Sequence, residues 1–381
     1  MDSSILREYL FLSHFSTFPE LKLSSLLQTF GSLNSILEAP KKKLATLGVS
    51  GSLLRQLLDA QRLAVNYSDI DKTLQWNTET NHALICYEDS RYPRLLKEID
   101  HAPPLLYVAG DTALLNSNQL AIVGSRKASR YGLDNAYRFA RDSSDAKLTI
   151  TSGMASGIDS QAHKGAIAGF SNTVAVLGTG IDQCYPKQNA GLKAEIEKSG
   201  AVVSELPLGS PPRAHHFPRR NRIITGLSLG VLVVEAASQS GSLISARTAM
   251  EQNREVFSVP GLISNPLSEG CHRLIKDGAK LVSNIGDVID ELPCLTSEIS
   301  VSQKNQATYR NPQKRESHPG QFLANTNHEK IIDVLKTQPC LFEPLQEATS
   351  LPPSLLIECL LELEGAGNIS LEAGRYTYRH R

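Results

Sequence analysis

Short apolar runs recur at regular intervals through the middle of the chain. Most of them are separated by stretches of about ten to fifteen residues with helical periodicity. Near-continuous apolar strands that alternate with helices are typical of a parallel sheet covered on both faces. The pattern therefore predicts an α/β core with a mostly parallel sheet. The runs lie at 120–123, 148–150, 174–177, 201–203, 231–234 and 256–259.

The regions on either side of this core follow other patterns. Leucines recur at helical spacing in residues 1–75 and predict a compact helical domain. Residues 76–292 form the predicted α/β domain, which opens with an extended lead-in and one strand. Residues 293–325 are rich in Pro, Ser, Asn, Gln and Lys and predict a linker. Residues 326–381 show three amphipathic segments and then a hairpin pattern, which predicts a winged-helix domain.

Composition excludes several classes of protein. The chain is 41% hydrophobic and 20% charged, as in ordinary globular proteins. No apolar stretch approaches the roughly 18 to 20 residues of a membrane helix, and the N-terminus lacks the basic head and apolar core of a signal peptide. The six cysteines are scattered without a Cys-x-x-Cys pair, which disfavours a zinc site. We therefore expect a cytoplasmic protein without bound metal or membrane insertion.

Charge is balanced overall but unevenly distributed. The chain has 39 Lys and Arg against 39 Asp and Glu, yet residues 118–292 hold 19 basic against 16 acidic residues, and residues 326–381 hold 5 against 8. Four arginines, two histidines and no acid lie between Arg213 and Arg222. Arginines concentrated beside an aromatic residue and Gly-rich turns favour binding of phosphates and bases.

The first cationic turn is Gly124-Ser125-Arg126, which follows an apolar strand and precedes a helix. Such a turn offers backbone N–H groups and the positive end of a helix to an anion, and Arg126 adds bidentate recognition of phosphate. The alternative is an ordinary strand–helix turn with a solvated arginine. Neither a Gly-x-Gly-x-x-Gly fingerprint nor a Gly-Lys-Ser/Thr P-loop occurs, so no nucleotide cofactor is expected.

The second cationic turn comprises Phe217, Arg219, Arg220, Asn221 and Arg222, at the end of a proline-rich loop. An exposed phenylalanine can stack on a base while arginines neutralise phosphates. The alternative is that Phe217 anchors the core and that the arginines form a solvated face.

Three further turns of small residues end predicted strands, where ligands of open α/β sheets bind. We expect them to line the same cleft. They are Ser152-Gly153, Gly178-Thr179-Gly180 and Ser240-Gly241-Ser242. Asp159 and His163 lie four residues apart on one predicted helix face, but no nucleophile has an evident partner. Structural roles are expected for both, and no catalytic residue is assigned.

Taken together, these motifs resemble DNA-processing protein A, the bacterial DprA/Smf family of recombination mediators. The resemblance covers about residues 83–291 and is specific, because many motifs occur in one order. The matching segments include Gly124-Ser125-Arg126, Ser129-x-Tyr131-Gly132, Ser152-Gly153-x-Ala155-x-Gly157-Ile158-Asp159, Gly178-Thr179-Gly180 with Tyr185-Pro186, Ser204-Glu205, Phe217-Pro218-x-Arg220-Asn221-Arg222, Val234-Glu235-Ala236 and Ser240-Gly241-Ser242.

The resemblance implies an extended Rossmann-like fold that binds single-stranded DNA and has no enzymatic activity. It also implies that the protein forms a homodimer. In competent cells, during natural transformation, such a protein protects incoming DNA and loads the RecA recombinase onto it. The family's DNA contacts transfer to Arg126 with its Gly-Ser turn, and to Phe217 and the arginines after it. The remaining turns named above complete the expected DNA groove.

Two other functions remain open on the sequence. Rossmann-like nucleotide phosphoribohydrolases share strand-end glycine turns, but their Pro-Gly-Gly-x-Gly-Thr turn is absent here. A DNA-binding regulator could be built around the winged helix, although a helix that reads DNA should be basic and residues 326–381 are acidic. A protein contact or an autoregulatory role suits that domain better.

Overall fold

The computed structural model describes residues 3–47 except 14–22, residue 49, residues 67–292 except 171, residues 326–349 except 338, and part of 351–378. The last part comprises 351–352, 356–357, 359–360, 363–364, 368–372 and 375–378. The chain divides near residue 307 into two compact units. The predicted linker, 293–325, lies outside the described residues.

The described part of the first unit contains one nine-stranded sheet, in the order β1-β2-β6-β5-β4-β3-β7-β8-β9. Strands β3 to β9 run parallel, whereas β1 and β2 are antiparallel at one edge. This confirms the predicted α/β fold with a mostly parallel sheet. The strands are β1 (His82–Cys86), β2 (Leu105–Gly110), β3 (Gln119–Val123), β4 (Thr149–Ser152), β5 (Thr173–Val176), β6 (Ala201–Ser204), β7 (Gly230–Val233), β8 (Glu255–Ser258) and β9 (Lys280–Leu281).

Helices precede the sheet and connect its strands. The described helices of this unit are α1 (Ser3–Ser13), α2 (Leu23–Phe30), α3 (Leu33–Leu37), α4 (Lys41–Thr46), α5 (Tyr67–Trp76), α6 (Arg94–Lys97), α7 (Arg130–Asp145), α8 (Ile158–Ile167), α9 (Ala190–Ser199), α10 (His216–Leu227), α11 (Ser242–Glu251), α12 (Glu269–Lys276) and α13 (Ile285–Ile289). Short 3₁₀ turns lie at Thr112–Asn116, Lys187–Asn189 and Pro266–Ser268. In the described residues, no helix is both long and apolar enough to cross a bilayer.

The two faces of the central strands pack on different helices. On β3, Leu120 and Ile122 share an apolar cluster with Phe139 of α7. Ala121 and Val123 point to the other face and share a cluster with α10, through residues such as Ile223. Because successive side chains of a strand alternate between faces, a strand covered on both sides is apolar throughout, as the sequence pattern indicated.

The order of strands reverses beside β3. From β3 the chain proceeds through β4 and β5 to β6 on one side, and then returns to place β7, β8 and β9 on the other. The carboxyl ends of β3 and β7 therefore form a topological switch point, where crevices in open α/β sheets bind ligands.

The N-terminal helices pack on the sheet. Tyr9 and Leu10 of α1 are fully buried and share one apolar cluster with Leu84 and Tyr107 of the antiparallel edge. The Tyr9 hydroxyl also donates to Glu88 Oε2 at 2.9 Å. The described helices before residue 76 thus share a core with the sheet, and the separate 1–75 domain stays a prediction about independent folding. The leucine run 53–63 lies outside the described residues.

The second unit contains helices α14 (Thr326–Thr337) and α15 (Phe342–Thr349) and a hairpin of β10 (Ile369–Glu372) and β11 (Arg375–Tyr378). The backbone of Cys340 pairs with that of Tyr376 in the hairpin through an isolated antiparallel β-bridge. Among the described residues between them, 356–357, 359–360 and 363–364 are helical, where a third helix was predicted. Leu356 and Leu360 are buried in its core. These elements agree with a winged helix.

Candidate nucleic-acid interface

A cleft of about 850 Å³ opens at the carboxyl ends of β3 and β7. Five segments line it: the turn after β3, the residues at the start of α8, the loop at Tyr185, the start of α10, and the turn that leads into α11. Nine predicted residues lie in this lining, namely Gly124, Ser125, Arg126, Phe217, Arg220, Asn221, Ser240, Gly241 and Ser242. The structure thus brings together three turns, of which the first and the last are more than a hundred residues apart in sequence.

The other predicted residues lie around this lining. Ser152 is buried, and its hydroxyl donates to the Ile122 carbonyl at 2.6 Å. Thr179 and Gly180 are buried behind the cleft, where the Thr179 carbonyl accepts a hydrogen bond from Ser204 Oγ. Gly153, Gly178, Arg219 and Arg222 support the lining through contacts described below.

Arg126 is an exposed cation at the mouth of the cleft. Its guanidinium lies over the ring of Phe217, 5.6 Å from the ring centroid. In the part of the chain that the structure describes, it has no carboxylate within salt-bridge distance. The adjacent Lys127 is also exposed. These two side chains are therefore free to meet an anion.

Phe217 is half-buried between Arg126 and Tyr185. The rings of Tyr185 and Phe217 are 5.4 Å apart between centroids and are inclined by 44°. A Cβ atom placed on Gly178 would lie 2.9 Å from Phe217 Cδ1. This differs from the sequence expectation, because the glycine at the end of β5 makes room for a side chain of the protein itself.

Arg220 forms part of the floor of the cleft and is only 4% exposed. Its Nη1 donates to the carbonyls of Gly153, at 2.6 Å, and Val176, so it ties the ends of β4 and β5 together. Gly153 leaves no room for a side chain beside this guanidinium. Burial lowers the pKa of Arg220 to about 10, partly offset by Asp159, so the group stays cationic at neutral pH. Among the described residues, its Nε has no hydrogen-bond partner.

Asp159 and His163 have structural partners, as expected. Asp159 Oδ2 accepts hydrogen bonds from the amides of Gly153 at 3.1 Å and Ala155 at 3.3 Å, and burial raises the pKa of its carboxyl. Thr173 Oγ1 donates to the Ile150 carbonyl, so His163 Nδ1 is the donor in its 2.7 Å contact with that hydroxyl. Burial lowers the pKa of His163 to about 3.

Arg222 and Arg219 face a buried acid. The guanidinium of Arg222 donates to both oxygens of Glu205, at 2.8 and 2.6 Å, and its Nε donates to the His101 carbonyl. Arg219 Nε lies 3.8 Å from Glu205. Burial alone would raise the pKa of Glu205, but the charge and hydrogen bonds of Arg222 hold it below its usual value. Arg222 is thus already paired, which the acid-free cationic turn did not suggest.

A second buried acid, Glu235, follows β7 and places its carboxylate at the start of α7. Glu235 accepts hydrogen bonds from Ser129 N at 2.8 Å, Ser129 Oγ at 2.7 Å and Asn265 Nδ2 at 3.2 Å. The Ser125 amide also donates to the Glu235 carbonyl, at 2.7 Å. The backbone donors expected to hold an external anion are therefore partly satisfied within the protein. Anion binding at this turn depends instead on the side chains of Arg126 and Lys127.

The chain resembles known proteins over most of its length. Residues 83–293 match the family model of DNA recombination-mediator protein A. The chain belongs to this family. It is 42% identical over 336 residues to Protein Smf of Escherichia coli, covering 87% of this chain and 86% of that protein. It is also 46% identical over 203 residues to DNA processing protein DprA of Streptococcus pneumoniae, covering 53% and 72%. The resemblance found in the sequence is confirmed.

Solved structures of the same family share the fold. The X-ray structure of DprA from Streptococcus pneumoniae superposes with a TM-score of 0.63 at 34% identity, covering 75% of this chain and 98% of that one. DprA from Helicobacter pylori, described for its single-stranded DNA binding mode, gives a TM-score of 0.50 at 29% identity, covering 55% and 95%.

Three residues that shape the site were not among the predicted contacts. Tyr185 lines the cleft with 45% of its surface exposed, while Glu205 and Glu235 hold the two cationic turns from behind. Each one belongs to a family motif, Tyr185-Pro186, Ser204-Glu205 or Val234-Glu235-Ala236. Only those motifs could have identified the three residues, because all three lie outside the two cationic turns in the sequence.

Proposed function

We propose that this protein binds single-stranded DNA in the cleft and acts as a recombination mediator, protecting incoming strands and loading RecA onto them during natural transformation. The observation that supports this best is the arrangement at the switch point. An exposed cation, Arg126, lies beside two aromatic rings, Tyr185 and Phe217, and a buried cation, Arg220, lines the floor below. Arginine beside aromatic side chains is the combination that binds single strands without a base code.

Binding would begin with Arg126. Its contact with Phe217 is a cation–π interaction, worth about 0.5–1 kcal/mol at an exposed site. A phosphate can draw the guanidinium away at that small cost, and the uncovered ring then accepts a base. Base stacking on an aromatic ring contributes about 1–3 kcal/mol. The exchange is therefore favourable.

The remaining lining would complete the site. Arg220 is held by two carbonyls and supplies a fixed positive charge. Asn221, Ser240 and Ser242 add polar side chains, and the Cβ position of Gly241 is open. We expect these groups to contact mainly the phosphates and sugars, so that binding has little sequence preference.

Catalysis is not part of the proposal. Asp159 is the sole acid among the described residues that line the cleft, and its Oδ2 is held by two amides. A phosphoribohydrolase needs a carboxylate free to act on the substrate. Incubation with nucleoside monophosphates should release no base, and appearance of free base would favour the hydrolase.

The partners belong to the same proposal and rest on the family. We expect a cytoplasmic homodimer, so light scattering of the purified protein should give twice the mass of one chain. RecA filament formation on single strands should start sooner when the protein is present. A monomeric mass would contradict the homodimer. Unchanged kinetics of RecA filament formation, with DNA bound by the protein, would contradict the RecA proposal. Neither result would contradict DNA binding.

The DNA proposal is tested by fluorescence anisotropy with labelled oligo(dT) and a matched duplex over a range of salt. The wild type should prefer the single strand. Arg126→Ala should weaken binding and lower the salt slope by about 0.7, as expected for one lost phosphate contact. Arg141→Ala is the matched control, because this exposed arginine lies near the far end of α7. Equal slopes for Arg126→Ala and the wild type would contradict the proposed site.

A further inference from the structure

We propose that Tyr185 is a second base-stacking surface of the cleft, and that Tyr185 and Phe217 together select strands whose neighbouring bases stack weakly on each other. This inference rests on the proposed single-stranded DNA function and adds a residue and a preference to it. It comes from the exposure, anchoring and inclination of one ring.

Exposure comes first. Tyr185 is 45% exposed while lining the cleft, and it contacts Phe217 at 5.4 Å between ring centroids. Large aromatic side chains are usually buried, so an exposed ring inside a cationic cleft has an unused apolar surface. In the unbound protein Phe217 offers less free surface, since Arg126 covers its ring until a phosphate draws it away and Gly178 lies against its edge.

The segment that carries Tyr185 is firmly held. Asn189 Nδ2 donates to the Met154 carbonyl at 2.8 Å and to Ser160 Oγ at 3.0 Å. Gln188 Nε2 donates to Ser156 Oγ at 2.8 Å. These bonds fix the 3₁₀ turn after Tyr185 to the loop at the end of β4. The ring is thus positioned before DNA arrives, which reduces the entropy lost on binding.

The inclination of the rings determines what they can bind. Their planes differ by 44°. Bases in a stacked strand lie parallel and about 3.4 Å apart. Two neighbouring bases that lie flat on Tyr185 and Phe217 would be inclined by a similar angle, so their mutual stacking must be broken. Strands of thymine give up little stacking, whereas strands of adenine give up more.

The experiment compares oligo(dT) with oligo(dA) of equal length at one salt concentration, for the wild type and four variants. Tyr185→Ala should weaken oligo(dT) binding by about 5- to 150-fold, the range one stacked base supplies. It should also shrink the preference for dT over dA. Tyr185→Phe should restore both quantities, since the ring and not the hydroxyl is required. Phe217→Ala should weaken binding as well.

The control is Phe170→Ala. Phe170 is 89% exposed and lies just before the amino end of β5, whereas the cleft lies at the carboxyl ends of the strands, so its removal should change neither quantity. Melting temperatures of all variants check that each is folded. If Tyr185→Ala binds like the wild type while Phe217→Ala is weakened, the inference is wrong and the DNA site stands. If the wild type binds neither strand, the proposed function itself fails.

Discussion

Replacing Arg222 by alanine should destabilise the protein strongly while leaving its contacts with DNA phosphates unchanged. In the sequence Arg222 belongs to the cationic turn, but in the structure its guanidinium donates to both oxygens of Glu205. The side chains of Glu205 and Arg222 are only 4% and 13% exposed. Alanine at position 222 would leave a buried carboxylate without its main partner.

The size of the effect follows from that burial. Removing one partner of a buried ion pair costs about 3–5 kcal/mol, because the remaining charge is left uncompensated. We expect the lower end, about 3 kcal/mol, since Arg219 lies 3.8 Å from Glu205 and can compensate in part. At about 2–4 °C per kcal/mol for a domain of this size, the melting temperature should fall by roughly 6–12 °C.

Urea unfolding at pH 7 measures the loss, and a double-mutant cycle identifies its cause. Glu205→Gln combined with Arg222→Ala should recover part of the loss, because no buried charge then remains. The DNA salt slope of folded Arg222→Ala should match that of the wild type, in contrast to Arg126→Ala. A loss below about 1 kcal/mol would contradict the structural role of the ion pair. A salt slope lowered as in Arg126→Ala would show instead that Arg222 contacts a phosphate.

A change of pH and substitutions at Gly178 and Glu235 give three further tests. Burial lowers the pKa of His163 to about 3 in the folded protein. As the pH drops below about 6.5, the unfolded chain therefore binds a proton at His163 before the folded protein does. The free energy of unfolding should fall accordingly, by about 2 kcal/mol at pH 5. His163→Asn should remove that pH-dependent part, and unfolding curves at pH 7 and pH 5 measure it. Gly178→Ala should push the Phe217 ring aside and weaken oligo(dT) binding, whereas Gly191→Ala, with open space around its Cβ position, should leave binding unchanged; equal affinities would contradict the contact. Glu235→Gln puts an amide donor against the donors at the start of α7 and should cost about 1–3 kcal/mol of stability in urea unfolding, so a neutral effect would argue against that role.

The sheet could be predicted from the sequence because its strands are covered on both faces. Residues 120–123 form a continuous apolar run, and such runs repeat with helical stretches between them. The turns at strand ends were located for the same reason, since glycine and serine interrupt each run. The cleft followed from placing these turns at one edge of a parallel sheet.

What the sequence could not show are contacts between segments far apart in the chain. Glu235 meets Ser129 across 106 positions, and Glu205 meets Arg222 across 17. Counting charge within a turn therefore overstated how many arginines are free. The glycines at positions 153 and 178 were expected to admit a ligand, but they admit the side chains of Arg220 and Phe217. The contacts of Arg222, Arg220 and Phe217 depend on the packing of α10 against the sheet, and that of Glu235 depends on the placement of α7; periodicity specifies neither.

The central claim, that single-stranded DNA lies in the cleft at the switch point, can be tested by mapping where the strand touches the protein. Oligo(dT) that contains 4-thiothymine is cross-linked to the wild type by light, and the attached peptides are identified by mass spectrometry. Cross-links should fall on the segments around Arg126, Tyr185 and Phe217. Cross-links confined to the second unit, or to the amino ends of the strands near Phe170, would contradict the account.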